Sequence, residues 1–312
     1  MFDAHCHLQD ERFDACREAV VAAALTAGVT GACCCGSSVR DWQKVWRLSA
    51  ERGARNAELG TVPPVSPATP ALHTAAALRT PHSAFHILPA FGVHPWYVGN
   101  LLTDWRARLE ELLVNHPAAP VGEIGLDGVR DDLPRDLQRQ VLLAQLEMAV
   151  RLRRPVVCHG ARAWGEWLET LRPFAPRIPG FVAHAFGGSE DILREIVALG
   201  GFVSFAGSVC NPAAKRVRAA AAAAPAERLL IETDAPDLLP GVRGSEVQWF
   251  SGSAIDNPAS RIPHPALSIP QELNHPGNLP LVAQAVAELR GAAPKEIASV
   301  TEANARRVYG II

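Results

Sequence analysis

A chain of 312 residues with 48% hydrophobic content can build one large α/β domain or two small ones, and its formal net charge of −2 excludes a general electrostatic attraction to nucleic acid. Any such binding must come from a local patch or from bound cations. Seven cysteines, three of them consecutive (Cys33, Cys34, Cys35), show neither CxxC spacing nor the density of a secreted scaffold, so they read as buried thiols of a reducing compartment, the cytoplasm. A strand that begins at residue 2 leaves no room for a signal peptide. The uncharged run from Ala19 to Val39 is broken by Thr26, Gly28, Thr30 and Gly31, so a helix ending near Gly28 and a buried strand over 29–36 explain it better than a membrane span.

The opening stretch, MFDAHCHLQD, reads as a strand on which Asp3, His5 and His7 point one way and Phe2, Ala4 and Cys6 the other. Two imidazoles two residues apart on a rigid strand can grip one metal ion. A helix is expected over Asp10 to Ala27, then a strand, VTGACCCG, then a helix over Asp41 to Arg52 with Trp42, Val45, Trp46 and Leu48 facing the core. Residues 60–84, rich in Pro, Ala and Thr, resemble an irregular loop insertion. The third strand, FHILPAFGVHP, ends with His94; a helix over Thr103 to Asn115 leads to the fourth, APVGEIGLDG, which contains Glu123. Pro134 to Arg153 is the clearest helix, with Leu137, Val141, Ala144, Met148 and Leu152 on one stripe. It delivers RPVVCHG, ending at His159; after a helix over 163–173, the strand GFVAHAFGG ends near His184. A helix over Ser189 to Leu199, the strand GGFVSFAGS, a helix over Pro212 to Ala224 and the strand RLLIETDAP, with Asp234 near its end, complete the pattern.

Eight β segments alternating with helices predict a (β/α)8 barrel, one domain over 1–312 with insertions near 60–84 and 237–272. Active sites of such barrels lie at the C-terminal ends of the strands, where His5, His7, Glu123, His159, His184 and Asp234 all fall. Four imidazoles and two carboxylates exceed the needs of one tetrahedral ion but fit two ions. Glu123 is the natural bridge, since one carboxylate can hold two cations about 3.5–4 Å apart and so acidify a water for hydrolysis. Asp234 is the expected base for that water. Asp3 and Glu232, one layer deeper, are expected to support a histidine. Trp164 and Trp167 could stack on a base, but core packing is the favoured role, above all for Trp167. Cys6 and Cys158 face outward from the barrel and are not expected to bind metal. Arg151, Arg153 and Arg154 precede the fifth strand and read as a solvated face at the barrel bottom. His73, His82, His86, His116, His264 and His275 carry no strand-end placement and read as surface residues, His275 being the one candidate for more.

In order, FDAHCHL, GVHP, VGEIGLD, PVVCHG, HAFGGSE, IETDAP and TEANARRVYG give the chain a resemblance, over nearly its whole length, to the TatD family of metal-dependent deoxyribonucleases within the amidohydrolase-like barrels. The resemblance implies two divalent ions (Mg, Mn or Zn), one held by His5, His7 and Asp234, the other by His159 and His184, with Glu123 bridging. It also implies cleavage of DNA phosphodiester bonds from the 3′ end, with single strands or 3′ ends as substrate, no membrane and no obligate protein partner. His94 would lie beside the substrate. Two departures stand out. Family members carry an HxR step after the fifth strand, whereas this chain reads His159-Gly160-Ala161-Arg162, displacing the expected phosphate contact, Arg162, by one residue. The RNEP-like segment after the eighth strand is here Leu273-Asn274-His275-Pro276, with His275 where a glutamate would be. The alternative reading is a two-metal amidohydrolase-type enzyme acting on an amide, lactone or other ester, because fold and metals do not fix the substrate. The loop over 237–272, with Arg243, Trp249, Phe250, Arg261 and His264, starts at the barrel top and is expected to narrow the mouth.

Overall fold

The computed structural model describes residues 1–60, 84–130, 132–241 and 269–311. Its strands are β1 (Phe2–Cys6), β2 (Gly31–Cys35), β3 (His86–Ala90), β4 (Val121–Asp127), β5 (Val156–Ala161), β6 (Phe181–Ala183), β7 (Phe202–Phe205) and β8 (Leu229–Ile231). Every pairing is parallel, in two runs ordered β1-β2-β3 and β4-β5-β6-β7-β8. Backbone hydrogen bonds join the runs into a closed barrel. On one seam Gly122 N–H donates to the Phe91 carbonyl (2.9 Å) and Phe91 N–H to that of Pro120 (3.2 Å). On the other, Asp234 N–H donates to the His5 carbonyl (3.0 Å) and His7 N–H to that of Ala235 (2.7 Å). Closure removes the sheet edges and places every strand C-terminus around one mouth.

Around the barrel lie α1 (Arg17–Thr26), α2 (Trp42–Gly60), α3 (Trp105–Asn115), α4 (Arg135–Leu152), α5 (Trp164–Leu171), α6 (Glu190–Ala198), α7 (Lys215–Ala223), α8 (Leu279–Arg290) and α9 (Pro294–Tyr309). Strand alternation sorts the core into two layers. Phe2, Ala4, Cys33, Cys35, Leu88 and Val157 fill the barrel, while Cys6, Cys34, Val156 and Cys158 face the helices, so the two cysteines beside His5, His7 and His159 do point outward. At the N-terminal end α9 plugs the barrel: Tyr309 is buried and its hydroxyl donates to the Ala4 carbonyl at 2.7 Å. The mouth is therefore the open end.

Several local expectations change. The segment expected to begin the first helix at Asp10 makes a 3-10 turn over Glu11–Phe13, because the Asp10 carboxylate takes the Arg12 N–H, and α1 starts only at Arg17. Trp46 is 37% exposed, whereas Trp42, Val45 and Leu48 are buried as expected. His116 is half-buried against the ring of Phe91 instead of lying free on the surface. α8 and α9 follow the eighth strand, in a stretch to which no element is assigned from the sequence. Residues Arg243, Trp249, Phe250, Arg261 and His264 of the top loop, with His73 and His82 of the earlier insertion, lie outside the described residues.

Candidate metal centre

Phe2 and Ala4, expected opposite to His5, fill the barrel, and a register shift in β1 between Asp3 and Cys6 breaks the alternation so that His5 also turns to the mouth, fully buried; His7 just beyond the strand follows it with 17% of its side chain exposed. Their Nε2 atoms are 3.1 Å apart. The His7 Nδ1 lies 2.8 Å from the Cys35 carbonyl, which can only accept, so Nδ1 carries the hydrogen and Nε2 is the nitrogen left for a cation or a shared proton. Glu123, in the middle of β4 and 2% exposed, reaches both rings with Oε2 at 3.4 Å. Its other oxygen, Oε1, faces a second set: His184 Nε2 at 2.7 Å, His159 Nδ1 at 3.0 Å and His94 Nε2 at 3.2 Å. Asp234 sits just after β8 in the left-handed region (φ 55°), a conformation that costs roughly 1–3 kcal/mol for a non-glycine residue and is held by the seam bond to His5. Its Oδ1 lies 3.4 Å from His5 Nε2 and 3.7 Å from His7 Nε2.

The six residues expected as ligands are thus brought together, and the two metal-capable trios they form overlap at His5. His5, His7 and Glu123 form one metal-capable trio and His5, His184 and Asp234 another. His94, Glu123 and His159 satisfy the same spacing, but the tautomer of His94 speaks against ligation. Its Nδ1 accepts the Trp96 N–H at 3.1 Å, so the neutral ring carries its hydrogen on Nε2 and donates it to Glu123. Burial pushes His94 down to about 4, which keeps it neutral at pH 7. His159 is the reverse case. Its Nε2 donates to Asp127 Oδ2 at 2.9 Å, which frees Nδ1 toward Glu123. His184 offers Nε2 to the centre while Nδ1 faces Glu232 at 3.5 Å. Glu232 is pinned by the Ser204 hydroxyl and the Ala185 N–H, so it backs His184 as expected of it. Asp3 does not touch a ring: it accepts from Thr233 N–H (2.9 Å), the Thr233 hydroxyl and, at 3.3 Å, the His5 backbone N–H, bracing the closing seam instead.

The donor set therefore fits divalent metal: imidazole nitrogens converge on the two oxygens of one buried carboxylate. Burial works against charge on Glu123, yet its surrounding imidazoles hold the carboxyl well below its ordinary range. Asp234 goes the other way and is pushed up to about 7, chiefly by burial, opposed by His184 and His7.

Two groups of residues were not singled out from sequence. Asp127, at the end of β4, gathers the His159 ring, the Trp96 indole N–H (2.8 Å) and the backbone N–H groups of Val129 and Arg130. Its position in the GLDG stretch at a strand end was the available signal. Gln138 and Gln145 of α4 are buried and clasp backbone: Gln145 pairs with N–H and carbonyl of Val93, and Gln138 does the same at Asp127. At Gly125 (φ 155°) a Cβ would lie 2.0 Å from the His159 carbonyl, so glycine allows β4 and β5 to approach where Glu123 and His159 project.

Arg162 stands at the end of β5 in the left-handed region (φ 49°), exposed, and makes no ion pair among the described residues. Trp167 is fully buried, and Trp164 packs against it and Phe186, so both are core residues. His275 is half-buried, near the backbone of α1. Its neighbour Asn274 donates to the carbonyls of Thr233 and Asp237 and so ties down the chain after β8.

A family model described as TatD related DNase matches residues 2–310. The Escherichia coli K12 protein named 3'-5' ssDNA/RNA exonuclease TatD is 29% identical over 316 residues, covering 100% of this chain and 99% of its own. The protein of the same name from Klebsiella pneumoniae strain 342 is 30% identical, covering 100% and 98%. Among solved structures, YJJV, a TatD homologue from Escherichia coli K12, superposes with a TM-score of 0.75 at 25% identity, covering 100% of this chain and 98% of its own. A hydrolase TatD family protein from Entamoeba histolytica gives 0.74 at 16% identity, covering 99% and 97%, a likeness of fold.

Proposed function

Because the chain belongs to the TatD-related DNase family, we propose that it is a metal-dependent exonuclease that removes nucleotides from the 3′ end of single-stranded DNA. The observation that carries the reading is Glu123, whose two oxygens face two separate sets of imidazole nitrogens. In this reading His5, His7 and Asp234 hold one divalent ion (Mg, Mn or Zn), His159 and His184 hold the second, and Glu123 bridges them. The bound ions would supply Lewis acidity toward the phosphate and a water acidified toward neutral pH. They also supply the positive charge that the net composition lacks. Relatives of this chain carry the name ssDNA/RNA exonuclease, which supports a single-stranded substrate.

The chain's own groups do the rest. Asp234 is assigned to accept the proton of the attacking water; its Oδ2 makes no hydrogen bond among the described residues and is the atom given that task. His94 donates to Glu123 from Nε2 and fixes the bridging carboxylate from the substrate side. Arg162 is assigned to a phosphate oxygen, its guanidinium being exposed at the mouth. The free state of the cysteines supports a cytoplasmic location. Among the described residues no helix is long and apolar enough to cross a membrane.

The test is time-resolved cleavage of a 5′-labelled single-stranded DNA by metal-stripped protein, resupplied separately with magnesium, manganese and zinc, beside Glu123→Gln. A ladder that shortens from the 3′ end, restored by metal and lost in the variant, is the expected outcome. Intact DNA with two ions bound per chain would keep the metal site and redirect the search to amides, lactones and small esters.

A further inference from the structure

We infer that Trp96 and Tyr97 form a stacking ledge for the nucleobase that adjoins the phosphodiester held at the metal centre. This inference rests on the nuclease reading above. Both rings belong to the 3-10 turn Pro95–Asn100 that follows directly from His94, and both are large apolar residues left in solvent, 44% and 40% exposed. The two consecutive rings flank His94, 5.1 and 6.3 Å from its ring centroid, and so make a contiguous apolar patch beside the centre, the kind of patch that marks a ligand surface.

The turn is rigid. Pro95 opens it, the His94 ring accepts the Trp96 N–H at 3.1 Å, and Tyr97 N–H donates to the His94 carbonyl at 3.0 Å. The one polar atom of the indole, Nε1, is committed inward to Asp127 Oδ2 at 2.8 Å, and the same oxygen takes the His159 Nε2–H at 2.9 Å. Two hydrogen bonds thus separate the indole from a ligand of the second ion. What Trp96 offers outward is its π surface alone. The Arg130 guanidinium lies over that ring, 5.7 Å from its centroid, while paired to Asp132 at 2.6 Å. A flat aromatic group joined to a phosphate suits this surface: the ring matches the indole face and the anion the guanidinium. A nucleobase on a single strand is such a group, and it is covalently continuous with the phosphate at the centre. A base in an intact duplex has its faces stacked on neighbours and cannot use the ledge. Since Trp96 has no spare donor or acceptor, the ledge reads a base by its face and is indifferent to base identity.

The experiment compares a 5′-labelled single strand carrying ordinary 3′ nucleotides with the same strand whose two 3′-terminal nucleosides are abasic. Wild type, Trp96→Leu, Trp96→Phe and Tyr97→Leu are used as full-length, metal-loaded proteins, and kcat and KM are separated. Fluorescence anisotropy of the same strands carrying cleavage-resistant phosphorothioate linkages at the 3′ end, with the same metal-loaded proteins, gives affinity apart from turnover. The wild type should bind the ordinary strand about tenfold more tightly than the abasic one, in keeping with the worth of one stacked base. Trp96→Leu should remove that preference, raising KM on the ordinary strand and leaving KM on the abasic strand unchanged. Trp96→Phe, which keeps a ring but loses the Asp127 hydrogen bond, should retain most of it. Tyr97→Leu should lower it in part. An unchanged preference in Trp96→Leu and Tyr97→Leu overturns the ledge while leaving the nuclease reading intact. Equal loss in Trp96→Phe and Trp96→Leu also overturns it, because the effect then runs through Asp127. Cleavage of neither strand by the wild type with metal bound ends the nuclease reading and the ledge with it.

Discussion

Of the imidazoles of the centre, His7, His94 and His159 each have one nitrogen committed to a hydrogen bond, and the partner of that nitrogen decides what the other can do. For His159 the partner is Asp127, whose carboxylate both fixes the ring and makes Nδ1 a better donor. Asp127→Asn should lower affinity for the ion on the His159 side by about 10- to 100-fold, measured by zinc competition against a chromogenic chelator. An unchanged affinity would mean that packing alone orients the ring. For His5 and His7 the question is the proton. Two Nε2 atoms 3.1 Å apart require a hydrogen or a cation between them. Burial lowers His7, but the hydrogen bond and charge of Glu123, with Asp234, outweigh it and push the ring up to about 10, while His5 is pushed down to about 4, chiefly by burial. The shared proton therefore sits on His7 at pH 7. A divalent ion must displace it, together with the protons on His159 and His184, two rings that burial lowers but neighbouring carboxylates, Glu123 among them, push above their ordinary range. Zinc titrated into metal-stripped protein at pH 7 should therefore release more than one proton per chain. Calorimetry in buffers of different ionisation enthalpy counts them, and a buffer-independent heat would contradict the shared proton.

Helix α4 connects the strand ends to one another. From one face of it Gln145 holds Val93, next to His94, and Gln138 holds Asp127, so a single rigid element sets the positions of two residues that address Glu123 and His159. Gln145→Leu leaves a buried N–H and carbonyl unpaired and should cost about 1–3 kcal/mol, read as a lowered urea midpoint with an unchanged slope. These glutamines also show where pattern reading stops. The apolar stripe of α4 was legible, and its Val141 and Met148 are buried. A buried glutamine looks in sequence like a solvent-facing one, because only the opposing backbone reveals its partner. The residues that gather at the candidate metal centre were legible for the opposite reason. Their chemistry is tied to residue type, and barrel topology forces strand ends together. Asp127 has a ligand-type side chain at a strand end too, but its task depends on which His nitrogen it meets, which alternation does not encode. α8 could have been read: Leu279, Val282, Ala283 and Val286 are buried at helical spacing. The ladders of β6 and β8 stop at Ala183 and Ile231, before His184 and Asp234, and so are shorter than the runs GFVAHAFGG and RLLIETDAP suggest.

At the scale of the whole barrel, the centre draws on both runs of strands: His5 and His7 come from β1 and its end, while Glu123, His159, His184 and Asp234 come from the run β4 to β8. Ions held by such a set lie across the seam at which the first strand meets the last, so they bind the folded barrel and not the open chain. Linkage then requires that metal stabilise folding by about 2.7 kcal/mol when free ion is 100 times its dissociation constant. With roughly 2–4 °C per kcal/mol for a domain of this order of size, chelation should lower Tm by about 5–10 °C, followed by calorimetry. Glu123→Gln should abolish most of that difference, since it neutralises the buried carboxylate on which the imidazole nitrogens converge. Acid should shift the balance in a defined direction. His94 is pushed down to about 4, first by burial and then by His159 and His7 against the pull of Glu123, whereas an unfolded histidine titrates near 6.5. Between those values the unfolded chain binds the proton and the folded one does not, so stability falls as pH drops from 6.5 through 4. Protons compete for His7 in the same direction when metal is present. The Tm gain from zinc should therefore shrink steadily from pH 7.5 to pH 5. His94→Gln in metal-stripped protein should flatten the acid limb between 6.5 and 4, and an identical limb in the variant would show that another buried histidine carries it.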